Sequence, residues 1–124
     1  MIRKFRGFDI VGGKGWVYGD LTHNQKVTKT GLEPRTMVGG YEVSDESVGL
    51  FTGIKDDNGT EIYEGDIISI SFEGHYLFTA TVKWYDNLGG FFMDEGQGCS
   101  SFIPQKGVCV VGNVYEQKDE NKNA

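Results

Sequence analysis

Residues 76–85, YLFTATVKWY, alternate strictly, with Tyr76, Phe78, Ala80, Val82 and Trp84 on one side and Leu77, Thr79, Thr81, Lys83 and Tyr85 on the other. A period of two marks a strand with one buried face. Such a strand needs partners on both edges, and the flanking sequence supplies them through tight turns. Upstream, EIYEGDIISISF (61–72) brings the apolar run Ile67, Ile68, Ile70 and Phe72 up to the turn Glu73-Gly74-His75. Before that, SVGLFTGIKD (47–56) enters Asp57-Asn58-Gly59, a turn triplet because Asn and Gly tolerate positive φ. Downstream, Asp86–Gly90 turns the chain into Phe91-Phe92-Met93, and Val108–Tyr115 forms a last apolar strand after a glycine-rich loop at 94–101. If the Tyr76/Trp84 face points inward, Tyr85 and one of Phe91 or Phe92 should be partly exposed.

Composition excludes the helical alternatives. Ala occurs twice and Leu five times, whereas Val, Ile, Thr, Tyr, Phe and Trp together number 43 of 124 residues. The 19 glycines are clustered rather than periodic, and Pro occurs twice, so neither a collagen-like repeat nor a Pro-rich linker fits. At the N-terminus, a strand beginning near Lys4, the turn Gly12-Gly13-Lys14-Gly15 and the returning Trp16–Gly19 read as a hairpin. Residues 20–40 are polar and broken by Gly31, Pro34 and Gly39-Gly40, with short strands expected near 26–29 and 36–43. Ser44–Ser47 can cap a single helical turn. The tail 117–124 is polar and expected to be disordered. The N-terminus lacks a signal peptide's apolar core, and no stretch is apolar enough for a membrane helix, so the expectation is a soluble cytoplasmic protein.

Charge divides the chain. Residues 1–41 carry seven Lys/Arg against three Asp/Glu, and residues 42–115 carry three against twelve. The overall net charge of −6 disfavours nucleic acid, whose phosphates are bound by Lys and Arg. A local basic patch of Arg3, Lys4, Arg6 and Lys14, extended by Lys26 and Lys29, keeps that class open as the alternative.

No catalytic or metal-binding pattern emerges. His23, His75, Cys99 and Cys109 match no zinc spacing, and the two cysteines make no disulfide framework. Asp56, Asp57, Asn58, Gly59 and Glu61 are acidic enough for calcium. Aligning Gly59 with the EF-hand glycine, however, puts Ile54 and Gly65 in ligand positions. Gly12–Gly15 and Gly96–Gly98 lack the Lys-Ser/Thr pair and following helix of a phosphate loop. Glu61, Glu64, Asp66, Asp94 and Glu95 read as loop acids rather than an acid/base pair, and no histidine is placed to activate Ser100, Ser101 or Cys99. The expectation is a non-enzyme with no cofactor and no metal.

TGIKDDNGTEIYEGDIISI (52–70) resembles the signature of the YopX family of phage and prophage proteins. KFRGFDIVGGKGWVYGD (4–20) and VVGNVYE (110–116) match in the family's order, although Arg6-Gly7-Phe8 stands where the family usually has Ala-Trp before Asp9. The resemblance implies a small phage-encoded β protein acting in a bacterial host, with no biochemical role attached.

The strand order of the central block reads as an SH3-like small barrel over 48–116, with 1–47 as an N-terminal β extension and little helix. Asn58, Gly59, Gly65, Asp66, Gly112 and Asn113 are expected to shape turns and the barrel, with Asp66 bonding amides of the preceding loop. Tyr85, Phe91 and Phe92 are candidate binding aromatics. With surplus aromatics, opposed charge blocks and no catalytic constellation, the expected partners are further copies of the chain, or a host or phage protein, and not a membrane.

Overall fold

The β-forming runs and their turns become twelve strands in the computed structural model, which describes residues 3–96 and 99–117, with only the backbone of Cys99. The tail beyond 117, residues 97–98 of the glycine-rich loop and the Cys99 thiol lie outside the described residues. The chain is mainly β, 63% strand and 6% helix, in several antiparallel sheets. It divides into two compact units, Met1–Phe51 and Thr52–Ala124.

In the first unit, β1 (Phe5–Phe8) and β2 (Trp16–Gly19) form the expected hairpin, Phe5 opposite Gly19 and Phe8 opposite Trp16. Its loop is closed by Asp9, whose carboxylate accepts the amides of Val11 (2.9 Å), Gly12 (2.9 Å) and Lys14 (3.1 Å). Those donors, Gly12 foremost, hold the Asp9 pKa below the ordinary carboxylate value. Then follow β3 (Leu21–Thr28), β4 (Gly31–Val38) and β5 (Tyr41–Val43), a three-stranded sheet where the sequence announced only short pieces. A 3-10 turn, Asp45–Ser47, occupies the expected single turn, but Ser44 makes no side-chain cap. Instead Ser47 Oγ donates to the Ser44 carbonyl (2.6 Å) and accepts from the Phe8 amide (2.7 Å). The core is Val17, Val38 and Val43, with Phe5, Leu21 and Val48 packed against it. A β-carbon on Gly7 would lie 2.8 Å from the Val43 side chain, so that packing requires glycine. Strand β6 (Gly49–Lys55) begins here, pairing Gly49 and Leu50 with Arg6 and Phe5.

In the second unit, β6 passes through the Asn58-Gly59 turn to β7 (Glu61–Tyr63). Five further strands, β8 (Asp66–Phe72), β9 (His75–Tyr85), β10 (Gly90–Gly96), β11 (Cys99–Ser101) and β12 (Val108–Asn113), form a sheet of order β11-β10-β9-β8-β12. Both the end of β10 and all of β11 fall inside the stretch expected to be a loop. Ile62, Ile68, Ile70, Ala80, Val82, Met93 and Val108 are the core, lined by Phe78, Phe91, Ile103 and Val110. The sheet ends in two edge strands, and no closed barrel is found among the described residues.

The alternation of β9 holds at its centre and fails at its ends. Ala80 and Val82 are buried as the period requires, but Tyr76 and Trp84 are exposed. Opposite Ile70 and Ser71 the register jumps from Phe78 to Tyr76, so Leu77 is the extra residue of a bulge that interrupts the period. Trp84 stands at the far end of the inward face, where its indole N–H donates to the Asp86 carboxylate and its ring meets Phe91 edge-on at 5.0 Å. After β12, Asn113 Oδ1 accepts the Glu116 amide at 2.8 Å and caps a single helical turn over 114–117, where Tyr115 had been expected to extend the strand.

Candidate interaction surfaces

The expected shape-setting residues sit at turns and edges of the second unit. Gly59 (φ +83°) closes the β6–β7 turn and Gly65 (φ +93°) precedes β8, both in the left-handed region that favours glycine. The Gly65 amide donates to the Val82 carbonyl, and its own carbonyl accepts from Val114. Asp66 is buried and accepts the Tyr63 amide at 2.8 Å, the expected contact with the preceding loop. Gly112 marks a register shift in the β12–β8 ladder, and its φ is not left-handed, so its contribution there is a bulge. Asn58 donates its side-chain amide to Cys109 Sγ at 3.4 Å.

Asp56, singled out in the sequence only as a rejected calcium ligand, organises this region. Its Oδ1 accepts the amides of Asn58 (2.9 Å) and Thr60 (2.8 Å), and its Oδ2 accepts that of Val110 on β12 (2.9 Å). The neighbouring Asp57 amide donates to the Val108 carbonyl at 3.0 Å. The outer edge of β12 is therefore occupied by a side chain and a loop rather than left open to another strand. Burial pushes the Asp56 pKa up, but the amides of Val110, Thr60 and Asn58 outweigh it, and the net shift is downward. The signal for this role was the D-x-N-G spacing of an Asx turn; the Val110 contact, 54 residues away, was not legible.

The candidate aromatics separate onto two faces. Phe91 pairs with Trp84 at the end of the core face. Tyr85 and Phe92 lie on the opposite face, edge-on at 5.9 Å, and Phe92 also meets Phe102 at 5.2 Å. Phe102, missed in the sequence because it follows an irregular loop, is 79% exposed. Beside this trio, Lys83 Nζ pairs with Asp94 Oδ2 at 2.6 Å. That bond raises the Lys83 pKa and, with the Gly96 amide, lowers that of Asp94. The cluster thus sets three aromatic rings beside an ion pair on one face of the sheet.

The four residues of the basic patch do not form one exposed cluster. The Arg6 guanidinium is buried 4.7 Å over the Trp16 ring, and Lys4 lies over Phe51 at 5.7 Å. Arg3 and Lys14 remain exposed. Lys26 lies further along the unit, paired with Glu42 at 3.0 Å.

Exposed apolar side chains gather at hairpin ends, Ile10 and Val11 in the β1–β2 loop among them. Phe72, Tyr76 and Leu77 stand beside the β8–β9 turn, where Glu73 (φ +51°) and Gly74 (φ +80°) adopt the left-handed pair that suits a two-residue hairpin. Val27 and Leu32 face each other across the β3–β4 ladder. At the root of that hairpin a groove of about 460 Å³ is lined by Leu21, His23, Pro34, Thr36, Asp45 and Val48, with Thr36 Oγ1 donating to the Asp45 carboxylate.

These features define an antiparallel β protein of two units that presents apolar hairpin tips and an outward aromatic cluster. The chain belongs to the YopX family: the family model described as YopX protein matches residues 4–119. It is similar to protein EF1440 from Enterococcus faecalis, whose crystal structure aligns with a TM-score of 0.53 at 25% identity, over 97% of this chain and 98% of that one. Among curated proteins none matches. No helix among the described residues is long and apolar enough to cross a membrane.

Proposed function

We propose that this chain is a phage- or prophage-encoded, non-catalytic protein–protein interaction or self-assembly module working in the cytoplasm of a bacterial host. The observation that carries the reading is the grouping of exposed large apolar side chains at hairpin tips, Phe72, Tyr76 and Leu77 at one and Val27 and Leu32 at another, with Phe102 exposed against Phe92. Grouped apolar exposure is the mark of a surface that another molecule covers. Charge supports the same reading, because a basic N-terminal segment and an acidic body within one chain favour contact between copies. Within the second unit, the meander β8 to β11 with β12 returned beside β8 supports an SH3-like arrangement in which the small barrel is left open. The nucleic-acid alternative is weakened by the burial of Arg6.

The test is capture of tagged full-length protein from infected host cells, with and without nuclease, together with its native mass. An oligomer, or a stoichiometric protein partner that survives nuclease, supports the reading. Nucleic acid as the only stoichiometric companion refutes it in favour of the alternative, and a salt-insensitive monomer that retains no protein refutes it outright.

A further inference from the structure

The β3–β4 hairpin carries one continuous face from a buried root to an exposed tip. Its ladder runs unbroken from Leu21 opposite Val38 to Thr28 opposite Gly31. By the period of two, Leu21/Val38, His23/Thr36, Gln25/Pro34 and Val27/Leu32 share that face. Val38 is fully buried, whereas Val27 is 84% and Leu32 63% exposed. Only Thr36–Val38 of β4 also pair with β5, so from Arg35 outward both edges of the ribbon are open among the described residues. A two-stranded ribbon with no cover is marginal in water. The groove at its root is lined by Leu21, His23, Pro34 and Thr36 of this face, by the edge of the ribbon at Asn24 and Arg35, and by Asp45 and Val48.

We propose that this groove receives the Val27–Leu32 tip of a second copy, whose own groove receives the tip of the first, so that two chains exchange arms about a two-fold axis. The inference rests on the self-assembly branch of the reading above. The tip cannot fill its own groove, because Val27 lies four to six residues beyond His23 and Leu21 on one strand, about 13–20 Å away along it. Charge selects a second copy over an acidic partner. The tip carries exposed Lys29, and the groove is lined by Asp45 of the 3-10 turn, whose neighbour Glu46 is exposed, while Arg35, which also lines it, donates to Asn24 Oδ1 at 2.6 Å. The ion pair between Lys26 and Glu42 ties the ribbon back to β5, which lowers the entropy lost when the arm is ordered. In an isologous contact each tip and each groove is used twice, so one substitution acts at two places.

Sedimentation velocity on the full chain tests this, comparing wild type with Leu32→Glu and Val27→Glu; circular dichroism checks that the β content is kept. Both side chains are exposed in the single chain, so neither substitution disturbs its core. The wild type is expected to dimerise, and each variant to raise the dimer Kd by at least about a hundredfold, the product of two equal losses. Lys29→Glu is expected to weaken association more mildly than either tip variant. A wild-type dimer that both tip variants leave unchanged overturns the arm exchange while leaving the broader interaction reading standing. A wild type that stays monomeric overturns the arm exchange, and the broader reading then depends on whether a nuclease-resistant protein partner is captured.

Discussion

Replacing Asp56 by alanine removes three hydrogen bonds at one stroke. Two of the amides it serves, Asn58 and Thr60, lie in an exposed turn where water replaces the carboxylate at a cost of about 0.5–1 kcal/mol each. The third, Val110, is partly buried on β12, and losing a charge-assisted bond there costs about 1.5–3 kcal/mol. The central expectation is a loss of about 4 kcal/mol, or roughly 15 °C in the melting temperature for a chain of this size. Asp56→Asn retains one carbonyl acceptor but sets an NH2 against another donor, so about half the loss is expected. Urea unfolding followed by tryptophan fluorescence measures both, with an unchanged m-value showing that the folded state keeps its compactness. Because the carboxylate also fills the β12 edge, the alanine variant should aggregate on warming more readily than an equally destabilised core variant. A loss below about 1 kcal/mol for Asp56→Ala would refute the reasoning, since it would mean that water serves the Val110 amide as well as the carboxylate does.

Acid unfolding follows from the same contacts. Asp56 and Asp9 both have folded-state pKa values below their unfolded ones, so their stabilisation is complete above the ordinary carboxylate pKa of about 3.9 and is lost as the pH falls through the lower folded values. Urea midpoints should be level from neutral pH down to that point and fall below it, and Asp56→Ala should flatten part of the fall. Gly107→Ala should destabilise by several kcal/mol, because its φ is +76° and the added carbon would lie 2.1 Å from the Ser71 carbonyl oxygen, which is backbone and cannot turn aside; a melting temperature within a degree or two of wild type would contradict this. Phe102→Ser should leave the melting temperature almost unchanged, given its exposure, while weakening whichever protein contact the aromatic cluster makes, as read by pull-down yield.

What could be read from the sequence depended on whether a strand has one buried face. β8, β9 and β12 do: the alternation of β9 put Ala80 and Val82 on the core face, and the apolar runs marked β8 and β12 as the strands that supply Ile68, Ile70 and Val108 to the core. β3 and β4 bury almost nothing beyond their roots, so no period survives in LTHNQKVT and GLEPRTMV, and Pro34 reads as a breaker although it sits at an open edge. Tyr76 and Trp84 were misplaced because a bulge and a strand end lie outside what alternation can register. Arg6 counted as a surface cation until Trp16, across the hairpin, proved to cover it. The turn glycines and Asp66 were legible because their constraint is local, whereas the reach of Asp56 to Val110 and the meeting of Phe92 with Phe102 depend on how the strands come together.

The central claim, a chain built to contact protein and first of all its own kind, is tested most directly by the mass of the full-length protein in solution from low to high micromolar concentration. The account predicts a dimer or larger species that loosens on dilution and, because opposed charges contribute, at high salt. A monomer at every concentration and salt, with no protein retained from host cells after nuclease treatment, would contradict it.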